Sequence, residues 1–296
     1  MAEQTGGADA VAALPEAQAS VVRTPRRRSL NPRIVVAGGI IMALTVLAIV
    51  APLVAPYDPL APEPTLSLAP PSSLHPLGND EFGRDVLSRL IWGARISMTV
   101  SIASVLLALV VGATAGLIAG YYGSVADWTV MRSADVILSI PPVLLAIGVV
   151  AILGPSIPNL VLTIAIVYAP RFARVAYSST RAVRGLDYVQ ATLAVGARES
   201  YVLRRAIVPA ILAPLIVQAS LALGAAMLLE SGLSFIGLGA RPPTPSWGSM
   251  VSSARAVMER FPLLVFWPSA VLAVTILAFN VLGDGVRDAL DPRSRR

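Results

Sequence analysis

Few side chains in this sequence are equipped for chemistry, and that scarcity excludes several functions at once. There is no cysteine, so disulfides, thiolate metal sites and cysteine nucleophiles are ruled out. His75 is the single histidine; it excludes a multi-histidine metal centre and reads as a surface residue of a Pro-rich outer loop. All 23 basic residues are arginine. A G-x-x-x-x-G-K-[ST] phosphate loop cannot be written without lysine, so ATP-driven work would need its nucleotide on another chain. Ser231 stands in E-S-G-L-S, not in a G-x-S-x-G elbow, and has no histidine base nearby. Asp135 and Glu230, the latter with Ser231, remain as candidates for a gate or a pathway edge, because carboxylates beside apolar runs are costly. Both fall at the ends of their runs, where headgroup water would reach them. No carboxylate sits at mid-run, which argues against a proton- or sodium-coupled transporter.

The second candidate is a segment rather than a cluster. Residues 190–209 read QATLAVGARESYVLRRAIVP, a short polar stretch with Arg198, Arg204 and Arg205. Gly196 permits a turn between two short helices, and Leu193, Val195, Val202 and Leu203 give them partly apolar faces. Two readings stand side by side: an amphipathic piece lying on anionic lipid, or a knob that enters a groove on a cytoplasmic partner.

The elements that must position these residues are membrane spans. The chain of 296 residues is 55% hydrophobic and 14% charged, with a mean hydropathy of +0.73, well away from the composition of soluble domains. Residues 1–30 read as a disordered cytoplasmic tail. RRRSL at 26–30 resembles a twin-arginine export signal, but the apolar run that follows is long enough for a complete span, so 31–57 is taken as an uncleaved first helix. Further charge-free runs cover 96–126, 136–170, 206–229 and 261–283. The 35 residues of the second of these contain Gly154, Pro155 and Pro158 and divide into two helices, for about six spans. With the N-terminus inside, seventeen arginines fall in cytoplasmic segments and six outside, which places both termini in the cytoplasm. The net charge of +6 follows from this bias and does not indicate nucleic acid.

Residues 58–95 form an outer loop whose end, DVLSRLIWGAR, has the spacing of an amphipathic helix on the outer leaflet. The core of five further spans occupies 96–283, with the polar segment at 185–209 and an outer loop at 230–260; 284–296 form a cytoplasmic tail. Gly112, Gly116 and Gly120 make a small-residue stripe suited equally to packing within the chain and to a subunit interface.

Several strings carry a resemblance. QATLAVGARESYVLRRAIVP is similar to the EAA loop of ABC importer permeases: Gln190, Ala191 and Thr192 occupy the E-A-A positions, Gly196 the glycine, Val208 the leucine and Pro209 the proline. Gln190 replaces the acid and Thr192 the second alanine. HPLGNDEFGRDVLSRLIWGARIS, YYGSVADWTVMRSADVILSIPPVLLAI, ESGLSFIGLGARPPTPSWGSM and NVLGDGVRDALDPR resemble the dipeptide/oligopeptide/nickel permease family, in particular its C-type subunit. The resemblance implies an all-α integral membrane protein of the type I ABC importer permease fold, without a nucleotide site of its own. It implies a B-type permease partner, two ATPase subunits that hold ATP and Mg, and an extracytoplasmic solute-binding protein. It also implies that Asp187, Tyr188, Gln190, Ala191, Thr192, Gly196, Ala197, Arg198 and Pro209 couple the spans to the ATPase. Peptides are the expected substrate; nickel, glutathione, haem or another small solute are alternatives, and a stand-alone secondary transporter is the competing class.

Overall fold

The computed structural model describes residues 32–290. The expectations for the tail at 1–30 and for residues 291–296 lie outside them. The described chain is helical, with one isolated β-bridge, Asn79 to Asp85, in an outer loop. Its long helices are α1 (Pro32–Val54), α2 (Val86–Tyr122), α3 (Ser124–Ser139), α4 (Pro142–Leu153) and α5 (Ile157–Arg184). The short α6 (Asp187–Ala194) and α7 (Glu199–Val202) follow, then a π-helical turn at Leu203–Ile207, α8 (Val208–Phe235), α9 (Trp247–Ala254) and α10 (Leu263–Leu290). Among the described residues, five segments are long and apolar enough to cross a bilayer, and a sixth crossing is supplied if α3 and α4 count as one broken span.

The break has a local cause. Ile140 precedes Pro141 and is extended (φ −93°, ψ 132°), as a residue before proline must be, and Pro141 is extended in turn. Pro142 then opens α4, where its missing N–H costs nothing. The two helices meet at 98°. Gly154 (φ +80°) ends α4, and Ser156 caps α5 by accepting from the N–H of Asn159.

Three expected boundaries are corrected. The outer stretch 85–95 is not a separate helix on the leaflet surface. Asp85 caps α2 through the Ser88 N–H, and Val86, Ser88, Arg89, Ile91 and Ala94 are buried within a continuous 37-residue helix. The span expected at 96–126 stops at Tyr122, because Gly123 (φ +66°) turns the chain into α3. The tail expected from 284 begins as the last turns of α10, which persist because Gly285 lies against Ile34 of α1 with no room for a Cβ.

The scaffold is organised around α2 and α5, the most extensive helix pair. Gly112, Gly116 and Gly120 all face α5, which settles the glycine stripe in favour of packing within the chain. A Cβ on Gly112 or Gly116 would drive into the carbonyl oxygen of Ala169 or Ala173, and one on Gly120 would come within 2.8 Å of the Tyr177 carbonyl. Small residues allow this approach, and van der Waals contact then holds the pair where no hydrophobic driving force operates between helices. Phe172, Leu160 and Ile164 of α5 pack with Val100, Val105 and Ala108 of α2, and with Ile211, Leu215 and Ala226 of α8. A second cluster joins Ala48 of α1, Met98 of α2, Met227 of α8, Trp247 of α9 and Phe279 of α10.

Gly116→Val should therefore abolish the α2–α5 contact. Gly148→Val in α4, where nothing lies within 4 Å of a new Cβ, should leave folding intact. Monodispersity in detergent separates the two, and equal behaviour would contradict the packing described.

Candidate functional site

The polar segment after α5 is built from the helix end outward. Leu186 and Asp187 start α6 immediately after Gly185, with Asp187 in its first turn, where a carboxylate complements the helix dipole. Val189, Val202 and Ile207 are fully buried and clamp the segment to the ends of the spans. Gly196 makes the turn at φ +83°, a left-handed conformation that a β-carbon disfavours, while its surroundings are open. Arg198 precedes α7, and Glu199 begins it.

The second helix is not an independent short element. Glu199–Phe235 runs as one continuous 37-residue span, with the π-helical turn Leu203–Ile207 inside it. There the Val208 N–H donates to the Leu203 carbonyl, one residue further back than in an α-helix. Pro209, next in line, has no N–H to offer and sits in the first turn of α8.

Gln190 has a defined task. Its Nε2 donates to the Arg184 carbonyl at 2.7 Å, satisfying an otherwise open acceptor at the C-terminus of α5. The Thr192 hydroxyl donates back to the Tyr188 carbonyl at 2.7 Å. Asp187, Ala191, Arg198 and Pro209 are exposed, and Ala197 is half-buried. Tyr188 (52% exposed), Tyr201 and Val195 (84% exposed) leave sizeable apolar groups on the surface of the same segment.

Glu230 is not at a wetted edge. It is fully buried in α8, accepting from Ser234 Oγ at 2.8 Å and Ser231 Oγ at 3.2 Å and also bonded to the Ser97 hydroxyl of α2. The Trp247 N–H at the start of α9 reaches the same Ser97 hydroxyl at 3.4 Å. Gly248 and Gly239 close over Ser231 and Ser234 with no room for a side chain. Water is thus excluded by α9, and three hydroxyls replace it around the carboxyl. The E-S-x-x-S spacing was visible in the sequence, whereas Ser97, over a hundred residues from both Glu230 and Trp247, and the fold-back of α9 that brings Trp247 to it were not.

Above this knot lies an ionic cap that the sequence reading missed. Arg89 bonds Asp80 at 3.2 Å and the Pro59 carbonyl at 2.9 Å, with a longer contact to the Pro243 carbonyl, and so ties both outer loops to α2. Arg84 bonds Asp80 at 2.7 Å. His75 is not a free surface residue: its Nδ1 lies 2.9 Å from Asp85 and its ring packs on Tyr57. Arg241 donates to the Pro155 carbonyl at 2.8 Å, linking the second outer loop to the α4–α5 turn.

Asp135 pairs with Arg174 of α5, on an exposed face. Two helical turns earlier in α3, Asp127 accepts from the Tyr177 hydroxyl at 2.8 Å and lies 3.6 Å from Arg181.

Comparison with known proteins fits this architecture. Residues 112–296 match the family described as the binding-protein-dependent transport system inner membrane component. The chain belongs to that family. Residues 26–71 also match the N-terminal transmembrane domain of oligopeptide transport permease C. A dipeptide transport system permease of Alkalihalophilus pseudofirmus is 42% identical, with 86% of this chain and 84% of that protein covered. A glutathione transport system permease of Pectobacterium atrosepticum is 41% identical over 96% of both. A di/tripeptide transport system permease of Pseudomonas aeruginosa is 42% identical over 86% and 87%. A solved structure of the MetNI methionine ABC transporter in inward-facing conformations shares the fold. Its TM-score is 0.55 at 17% identity, over 69% of this chain and 96% of that one. The binding-protein-dependent permease described here is thus a multi-pass transport subunit of the bacterial inner membrane, of the type I importer fold.

Two substitutions check the local geometry. Glu230→Ala leaves three hydroxyls without their shared acceptor, at about 1–3 kcal/mol for each one left unsatisfied, and should lower the melting temperature in detergent well below that of Glu230→Gln. Gln190→Glu would turn a carboxylate toward the Arg184 carbonyl, so it should impair transport in assembled vesicles more than Gln190→Ala; the reverse order would refute the capping role.

Proposed function

We propose that this permease forms half of the translocation channel of an ATP-driven importer of short peptides and that residues 187–209 dock on a cytoplasmic ATPase subunit. The observation that carries the docking is the combination of a rigidly anchored segment and an unsatisfied surface. Val189, Val202 and Ile207 fix it to the spans, while Tyr188, Val195 and Tyr201 present apolar area at the arginine-rich end of the molecule. A segment lying on anionic lipid would direct its arginines to the headgroups and its apolar groups into the acyl region. Here the most exposed apolar residue, Val195, is beside Gly196 at the tip of the turn, the geometry of a knob for a groove. ATP and Mg would sit on two ATPase subunits, consistent with a lysine-free chain. A homologous B-type permease would complete the channel, and an extracytoplasmic binding protein would deliver the solute. ATP-driven closure of the ATPases would bias the spans between two arrangements through this joint.

The peptide assignment draws on the relatives named for dipeptides and di/tripeptides; glutathione, the cargo in another relative's name, is itself a modified tripeptide. A stand-alone secondary transporter is disfavoured because Glu230, a fully buried acid of the spans, is covered by α9 and closed to solvent.

The test uses the complete transporter with its binding protein in liposomes. Val195→Asp should reduce substrate-stimulated ATP hydrolysis at least about tenfold (about 1.4 kcal/mol) without loss of insertion. Gly196→Pro, which forbids φ +83°, should do the same. Full stimulated hydrolysis in both variants would overturn the docking assignment. Calorimetry on the purified binding protein should show dipeptide binding; binding of nickel alone would overturn the substrate.

A further inference from the structure

Helices α3 and α5 carry paired charges where a lipid-facing surface could not hold them. Arg174 lies seventeen residues into α5, roughly 25 Å from its outer end at 1.5 Å per residue, within the depth of a hydrocarbon core about 30 Å thick. Its side chain is 53% exposed and that of its partner Asp135 46%. Ionised groups at such depth face the protein interior or water, not acyl chains. Arg174, Ser178 and Arg181 recur at helical spacing along the exposed cytoplasmic half of α5. Asp127 and Asp135 repeat two turns apart on α3 and meet Arg181 and Arg174 in antiparallel order.

The opposite side of the same helix contact is different in kind. Val130, Ala134 and Ile137 of α3, with Ile166 and Ala173 of α5, line an open apolar groove of about 420 Å³. One side of this wall therefore suits lipid and the other suits water.

We infer that the charged side lines the inner vestibule of the path and that Asp135 and Arg174, with Asp127, Arg181, Tyr177 and Ser178, pass a zwitterionic solute by exchanging their mutual pairing for its amine and carboxylate. This rests on the peptide-importer reading and deepens it. The stripe holds two acids and two bases, so it is neutral overall and favours neither anions nor cations. Its pairs are half-exposed, so each partner can be replaced without first uncovering a buried charge. A free peptide brings one amine and one carboxylate, which match Asp135 and Arg174 in sign. The wall leads along α5 directly to the segment assigned to the ATPase, so the exit and the drive share one helix.

The absence of cysteine allows a clean test. Ser178→Cys, and Val111→Cys in the apolar groove, are each placed in the assembled transporter in inside-out vesicles and treated with a membrane-impermeant maleimide. Ser178→Cys should label at least about tenfold faster than Val111→Cys. Equal rates, or no labelling at position 178, would overturn the water-facing wall, because lipid or a partner helix would then cover it. The double variant Asp135→Asn/Arg174→Gln should move roughly tenfold fewer dipeptide molecules per ATP hydrolysed; an unchanged ratio would overturn the exchange. Labelling reports water access whatever solute is carried, so a binding protein that rejects dipeptides would sink the substrate assignment without altering that result.

Discussion

The close approach of α2 and α5 at Gly112, Gly116 and Gly120 is the constraint on which the rest of the molecule depends. Between helices in a bilayer, contact is gained by shape and not by escape from water, and a single extra carbon at these positions meets a backbone carbonyl. The pair matters because of what each helix carries. α2 projects outward and bears Asp85, Ser88, Arg89 and Ser97, the residues that fasten the outer loops and α9. α5 projects inward, bears Arg174 and Arg181, and ends at the Arg184 carbonyl that Gln190 caps. One tightly packed seam therefore connects the helix that ends at α6 with the helix that carries the outer knot.

That knot is polar by design of its neighbours rather than by exposure. Glu230 lies in a run that is otherwise apolar, and α9 folds back to shield it, with hydroxyls standing in for solvent. Its partners come from α2 and α8, and α9 joins through the Trp247 N–H on Ser97, so the arrangement exists only when α2, α8 and α9 are in register. Arg89 repeats the same logic one level further out, using carbonyls of two loops and the carboxylate of Asp80.

Local signals made the helices, the stop at Gly154 and the turn at Gly196 readable from sequence. Gly154 and Gly196 act through their own backbone preferences, and those preferences prevailed in the folded chain; the break at Ile140–Pro142 is equally local but was not expected. What could not be read was anything settled by distant pairing. The segment 85–95 has the alternation of a surface helix, yet it is buried because the loops around Asp80 and Trp247 fold over it. Glu230 looked wetted because a run end was mistaken for a membrane boundary; α8 continues to Phe235 and α9 covers the site. The replacement of the usual acid by Gln190 was visible, but not its reason: an amide can donate to the Arg184 carbonyl and a carboxylate cannot.

The π-helical turn at Leu203–Ile207 has a consequence for how the two ends of one helix are aimed. Each residue of an α-helix fixes the bearing of the next at about 100°, so two faces at opposite ends of one unbroken rod would be locked together. A single wider turn inserts one residue and offsets the bearing of everything before it. Tyr201, on the short stretch before the turn, can thus take a bearing of its own while α8 keeps the azimuth that its contacts with α2, α5 and α10 demand. The turn serves as a fixed angular adaptor between the start of this helix and the span that follows it, so that either end can change its face without rotating the other.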